Sequence, residues 1–169
     1  KENGVSADVL RSVEAVNDRQ KSVLADMIIY HFALKNAKRS VKKPLLGKTI
    51  ALWGLSFKPR TDDMREAPSL VIIEKLLHAG AKIHAHDPIA MAEAQKIFKN
   101  SITLFPIDYD ALIGADALAV VTEWSEFRNP DFKKMKRLMN RPIIFDGRNI
   151  YNPGELRKMG FTYFGIGRT

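Results

Sequence analysis

The 169-residue sequence predicts an α/β fold: a Rossmann-like, doubly wound parallel sheet of about six strands, preceded by helices. Three observations carry this prediction. Short apolar runs recur along the chain, continuous rather than alternating, as strands buried on both faces require. Between them lie segments whose apolar residues return at helical spacing. Turn residues, chiefly Gly, Pro, Asn and Asp, punctuate most of the junctions.

Residues 1 to 40 read as helical. Val9, Val13 and Val16 recur at helical spacing behind a Ser6 cap. Asn17 followed by Gln20 fits a capping box that restarts a second helix. That helix presents Val23, Leu24, Met27, Ile28 and Phe32 along one broad face. Two helices cannot bury these faces on each other, so they need the following domain or something outside the chain. Pro44 breaks the pattern, and Lys48 to Gly54 (KTIALWG) is the first buried strand. Pro68 opens a helix, where its fixed φ and missing N–H cost nothing. Leu70, Ile73, Leu76 and Leu77 give that helix its apolar face, and Gly80 ends it.

A second strand over Lys82 to His86 ends in Asp87-Pro88, and a helix follows over about Met91 to Phe98. Ile102 to Phe105 is a third strand, with a short helix from about Tyr109 to Ile113 behind it. Ala117 to Val121 is a fourth strand, followed by a helix near Asp131 to Met139. Strands at Ile143 to Phe145 and Phe161 to Gly165 flank a helix from about Gly154 to Met159. With right-handed crossovers, the natural strand order is 3-2-1-4-5-6.

A hydrophobic content of 46% suits one domain with a full core plus an appendage. Cysteine is absent, which removes disulfides, thiolate metal sites and cysteine nucleophiles from this chain. The longest apolar runs, such as Ala117 to Val121, are far too short to span a bilayer. No signal peptide is visible, and a cytoplasmic location with no membrane partner is the default expectation. The net charge of +8 favours phosphate-bearing partners without choosing among nucleic acid, a membrane surface and a nucleotide. Lys35, Lys38, Arg39, Lys42 and Lys43 supply part of it, as a solvated helix end whose cations complement the helix dipole. The stacking aromatics of single-strand nucleic-acid binders are missing there, and that partner ranks last.

Ligands of such a sheet bind beyond the carboxyl ends of the strands. The segments Gly54 to Pro68, Thr122 to Phe127 and Asp146 to Tyr151 therefore matter most. A dinucleotide fingerprint G-x-G-x-x-G is absent after the first strand, where Gly54 stands alone. Asp87 is placed like the acid that holds a ribose, but without those glycines it reads as a helix-start device. The first loop instead offers side chains: Phe57 to stack on a ring, Lys58 as a point charge, Arg65 as a phosphate fork. Asp62 and Asp63 read as caps of the helix at Pro68 and as partners of Arg60 or Arg65. Arg148, after Asp146-Gly147, is a second phosphate or base fork. His84 and His86 share one strand face, as two metal ligands could, but read as packing residues. Trp124 reads as a packing anchor.

GLSFKPRTDDMREAPS closely resembles a signature of the C-terminal domain of the UDP-glucose/GDP-mannose dehydrogenase family, on its UDP-glucose branch. VNDRQ at 16 to 20, GAKIHAHDPIA at 80 to 90, ADALAVVTEWSEF at 115 to 127, FDGRNIYNP at 145 to 153 and YFGIGR at 163 to 168 extend the likeness in the same order. It covers nearly all of the chain.

The resemblance implies an enzyme that oxidises UDP-glucose to UDP-glucuronate with two NAD, through a cysteine thiohemiacetal. It implies that residues 1–43 end a central helical, dimer-forming domain and that 44–169 form the C-terminal UDP-sugar-binding domain. The catalytic cysteine, active-site lysine and NAD fingerprint would precede Lys1, so no catalytic residue is expected here and the chain alone is expected to be inactive. By motif position, Phe57, Lys58 and Arg148 bind the UDP-sugar and Arg65 reaches toward NAD. A homodimer is expected for the whole enzyme. The alternatives are another nucleotide-sugar dehydrogenase (acting on UDP-N-acetylmannosamine or GDP-mannose) and a non-catalytic nucleotide- or CoA-binding module.

Overall fold

A computed structural model describes residues 8–35 and 42–168. The elements run α1 (Asp8–Lys35), β1 (Thr49–Trp53), α2 (Pro68–His78), β2 (Lys82–His86), α3 (Met91–Phe98), β3 (Thr103–Leu104), β4 (Ala117–Val120), α4 (Phe132–Leu138), β5 (Ile143–Asp146), α5 (Pro153–Lys158) and β6 (Thr162–Gly165). The six strands form one parallel sheet in the order β3-β2-β1-β4-β5-β6, as the alternation predicts. β3 is shorter than expected, and the helix after it is a single 3-10 turn at Asp110–Leu112.

Alternation along each strand splits the core between the two faces of the sheet. Ile50, Leu52, Ala117, Ala119, Ile143 and Phe145 face α1, α2 and α3. Ala51, Trp53, Leu118, Val120 and Ile144 face α4 and α5, with Trp124, Met135 and Leu156. Both faces are covered, which is why the strands read as unbroken apolar runs.

The N-terminal region corrects one expectation. α1 is a single 28-residue helix that passes through Asn17 without a break. Restarting a helix there would leave two new ends, each with four unpaired backbone groups. Keeping one Asn inside costs only roughly 0.5–0.7 kcal/mol of propensity. The expected Ser6 cap and the cations Lys38 and Arg39 fall outside the described residues.

The two halves of α1 differ. Leu24, Ala25, Ile28 and Phe32 are buried in the domain core, against α2 and β5. Leu10, Val13 and Val16 are 51–67% exposed. The following domain therefore buries one half of the predicted apolar face and leaves the other in solvent.

Candidate functional site

The switch point of this sheet lies between β1 and β4, from which the chain leaves in opposite directions. The segment after β1 turns at Gly54, with φ of +92°. A Cβ built there would lie 2.4 Å from Thr122 Cβ, so both conformation and space demand glycine.

The four backbone polar groups of Leu55 and Ser56 are then held by three other segments. Both N–H groups donate to Asp87 Oδ2, at 2.7 and 3.1 Å. The Ser69 hydroxyl, at the head of α2, donates to the Leu55 carbonyl. The Thr122 hydroxyl, just past β4, donates to the Ser56 carbonyl at 2.6 Å. Phe57 emerges from this anchor half exposed, its N–H bonded to the Asp63 carbonyl at 2.9 Å.

Asp87 is fully buried and accepts six hydrogen bonds. Besides the two N–H groups, Oδ2 takes the Ser56 hydroxyl and Trp124 Nε1–H, at 3.2 and 3.1 Å. Oδ1 takes Ile89 and Ala90 N–H at 2.9 and 2.8 Å, which fixes the turn leading into α3, although the N-cap of that helix is Ala90, without a side-chain bond. Burial pushes its pKa up, but the N–H donors of Leu55, Ala90, Ile89 and Ser56 outweigh burial and hold it below the usual carboxylate value.

In a dinucleotide-binding domain the acid at this position reaches out to a ribose, and N–H groups after β1 meet the pyrophosphate. Here the acid turns inward and takes the N–H groups of Leu55 and Ser56 for itself. Those two N–H groups are therefore closed to a ligand, whereas the side chains of Phe57 and Lys58 are exposed.

The two aspartates of the loop correct a second expectation. Neither caps α2: its N-cap is Ala67, without a side-chain bond, and Pro68 supplies the start. The turn through Arg65 and Glu66 (φ 57°) sets the aspartates too far back to reach the helix. Asp63 instead accepts Arg65 N–H and grips its guanidinium, the Arg65 pairing that was predicted.

After β5, buried Asp146 sets the third segment. It accepts Arg148 N–H at 2.9 Å, Tyr151 N–H at 3.1 Å and the Tyr163 hydroxyl at 3.0 Å. Burial, then the neighbouring Asp146 charge, pushes both phenols up, so they stay protonated and donate. Gly147 lies directly under α1: a Cβ there would come within 3.0 Å of Leu24 Cδ2 and 2.8 Å of the Val120 carbonyl.

These segments and α1 line a half-open cleft of about 750 Å³. Phe57 and Glu66 line it from the first loop, Val121 from the end of β4, Gly147 and Arg148 from the third segment, and Ile166 from beyond β6. Asn17, Gln20 and Lys21 line it from α1, and Lys21 Nζ closes onto Glu66 Oε2 at 2.5 Å. Its volume is within the range of small-molecule sites, roughly 300–1,000 Å³.

The structure thus brings Phe57 and Arg148 to one cavity. Lys58 is exposed beside Phe57 but off the wall, and Arg65 projects outward with its side chain 90% exposed. The segment after β4 supports rather than lines: Thr122 and Trp124 face inward. Trp124 is the packing anchor expected, with a bond to Asp87 as well. His86 packs near Phe127 with Nδ1 on the Phe105 carbonyl, and His84 packs on the Phe105 ring. The share of α1 was missed. The i, i+3, i+4 spacing of Asn17, Gln20 and Lys21 within VNDRQK was the signal that one helix face could serve the site.

Residues 51–153 match the model of the UDP-glucose/GDP-mannose dehydrogenase family, UDP binding domain. A UDP-glucose 6-dehydrogenase of Pseudomonas aeruginosa is 44% identical over 99% of the chain. Among solved structures, a UDP-glucose dehydrogenase of Pyrobaculum islandicum superposes with a TM-score of 0.74 at 23% identity over 98% of the chain. A UDP-D-ManNAc dehydrogenase of Pyrococcus horikoshii superposes at 0.73 with 26% identity, again over 98%. The chain spans about a third of each of these proteins: 36%, 34% and 35% of their lengths.

Proposed function

Since the chain belongs to the UDP-glucose/GDP-mannose dehydrogenase family as its UDP-binding domain, we propose that it is the nucleotide-holding C-terminal part of an NAD-dependent UDP-glucose 6-dehydrogenase. One observation carries the reading: an arginine and an aromatic ring meet in a nucleotide-sized cavity beside the switch point. In this reading Phe57 covers a ring of the UDP-sugar, while Lys58 and Arg148 neutralise its diphosphate. Residues 1–43 end the helical dimer-forming region and 44–169 form the nucleotide-holding domain, with Asn17, Gln20 and Lys21 of α1 completing the wall of its cavity. The exposed Leu10, Val13 and Val16 are then the start of a homodimer surface.

NAD, in such an enzyme, accepts the hydride. Among the described residues the loop after β1 does not offer it a pyrophosphate site, because Asp87 occupies the N–H groups of Leu55 and Ser56. Arg65 alone extends toward a cofactor held elsewhere. UDP-glucose is favoured over other nucleotide sugars by the name of the relative that is 44% identical.

Calorimetric titration with UDP, CoA and NAD tests the reading. UDP should bind with one-to-one stoichiometry, and the pure chain should not oxidise UDP-glucose with NAD. Binding of CoA without UDP would favour the regulatory-module alternative. Steady-state NADH formation by this chain alone would refute the division of labour.

A further inference from the structure

We propose that Asp87 is the positioning residue of the nucleotide site: it sets the stance of Phe57 and Lys58 toward the ligand without touching the ligand itself. The inference rests on the functional reading above, since it takes the cavity beside Phe57 to be the nucleotide's.

The loop after Ser56 is braced internally. Phe57 N–H bonds the Asp63 carbonyl, Arg65 is gripped by Asp63, and Ala67 N–H bonds the Met64 carbonyl at 3.0 Å. A loop closed on itself turns as a unit, so its orientation is decided where it is attached. One attachment is α2, and the other is the pair Leu55 and Ser56, whose N–H groups end on one carboxylate oxygen. That oxygen also holds Trp124, and its twin holds the head of α3 through Ile89 and Ala90. Asp87 therefore locks three segments leaving the carboxyl end of the sheet into one frame, and Phe57 is the next residue along. All six partners are donors, so only a carboxylate satisfies them. An asparagine has one acceptor oxygen and would turn its own N–H groups on two of the donors.

UDP titration of this chain tests the idea with Asp87→Asn, Trp124→Phe and, as a stability control on the far face of the sheet, Leu156→Ala. Asp87→Asn should raise the Kd for UDP at least about tenfold, the scale of lost bonds to a charged group. It should also shift the emission of Trp124, whose indole exchanges a charged acceptor for a neutral one. Trp124→Phe should weaken UDP by a smaller factor. Leu156→Ala should lower the Tm and leave the Kd unchanged, so that an affinity loss in Asp87→Asn is separated from general destabilisation. A folded Asp87→Asn chain with wild-type affinity overturns the inference. So does a Leu156→Ala chain that loses as much affinity as Asp87→Asn. Should Asp87→Asn fail to fold, wild-type affinity in Trp124→Phe overturns it instead. A wild-type chain that takes no UDP overturns the functional reading and this inference together.

Discussion

Asp63 and Arg65 form a closed fork on the surface of the first loop. Arg65 Nε reaches Oδ1 at 3.0 Å and Nη2 reaches Oδ2 at 2.8 Å, while Arg65 N–H donates to the same Oδ1 at 2.9 Å. Parallel bonds of this kind fix the guanidinium plane rather than merely attract it. One edge of the arginine is occupied, and the side chain as a whole stands 90% exposed.

The fork makes a pH prediction. Its hydrogen bonds from the Arg65 side chain and backbone hold Asp63 at about 2, below the ordinary value of 3.8. The folded value is the lower one, so the contribution is complete above 3.8 and is lost as pH falls toward 2. An NMR titration of the Asp63 carboxyl should show a midpoint near 2. A midpoint at the ordinary value would mean the fork is open in solution.

Gly54 admits no side chain. Gly54→Ala places a methyl group against Thr122 in a left-handed conformation. The backbone strain costs roughly 1–3 kcal/mol, with overpacking of similar size added. Chemical denaturation should therefore show a loss of at least about 2 kcal/mol. A loss below about 0.5 kcal/mol would mean that Thr122 moves away freely.

Removing the charges should damage binding and spare the fold. Lys58 and Arg148 are exposed, and each charge-assisted contact is worth roughly 1.5–3 kcal/mol. Lys58→Ala and Arg148→Ala should each weaken UDP binding by about 10- to 100-fold. Their Tm should stay at the wild-type value. In a full-length protein with the proposed dehydrogenase activity, the same changes should raise the KM for UDP-glucose, whereas Arg65→Ala should raise the KM for NAD. Unchanged constants in the first two variants would remove them from the site.

The halves of α1 should answer substitution differently. Ile28 is completely buried in the core, so Ile28→Ala should cost roughly 2–5 kcal/mol. Val13→Ser, on the exposed half, should alter the stability of this chain by less than about 0.5 kcal/mol. The same Val13→Ser change in the full-length protein should weaken the dimer, read by sedimentation. Unaltered assembly would place the dimer surface elsewhere.

Much of the molecule was legible in its sequence because the signals are local. A run such as Ala117–Val120 can bury both faces only as an inner strand. Pro68, Gly80 and the Asp87-Pro88 pair mark ends through their own backbone chemistry. The loop side chains Phe57 and Arg148 could be singled out because strand order puts the switch point between β1 and β4. The reading failed at Asn17, where a cap signature lies inside a continuous helix. It failed again in making Asp62 and Asp63 caps of α2, where a turn intervenes, although the pairing of Asp63 with Arg65 is present.

Sequence alone determined the α/β class, the strand order and the presence of a charged, glycine-poor loop at the ligand end of the sheet. Periodicity and turn chemistry act within a few residues, so they can be read directly. Only tertiary structure decided which way Asp87 faces, that Thr122 and Ser69 complete its grip on the loop, and that α1 walls the cavity. Those outcomes depend on donors that converge from distant parts of the chain, as Leu55 and Trp124 do on one carboxylate oxygen. The first two N–H groups of the loop, those of Leu55 and Ser56, end on a buried acid, while Phe57 and Lys58 beside them stand exposed.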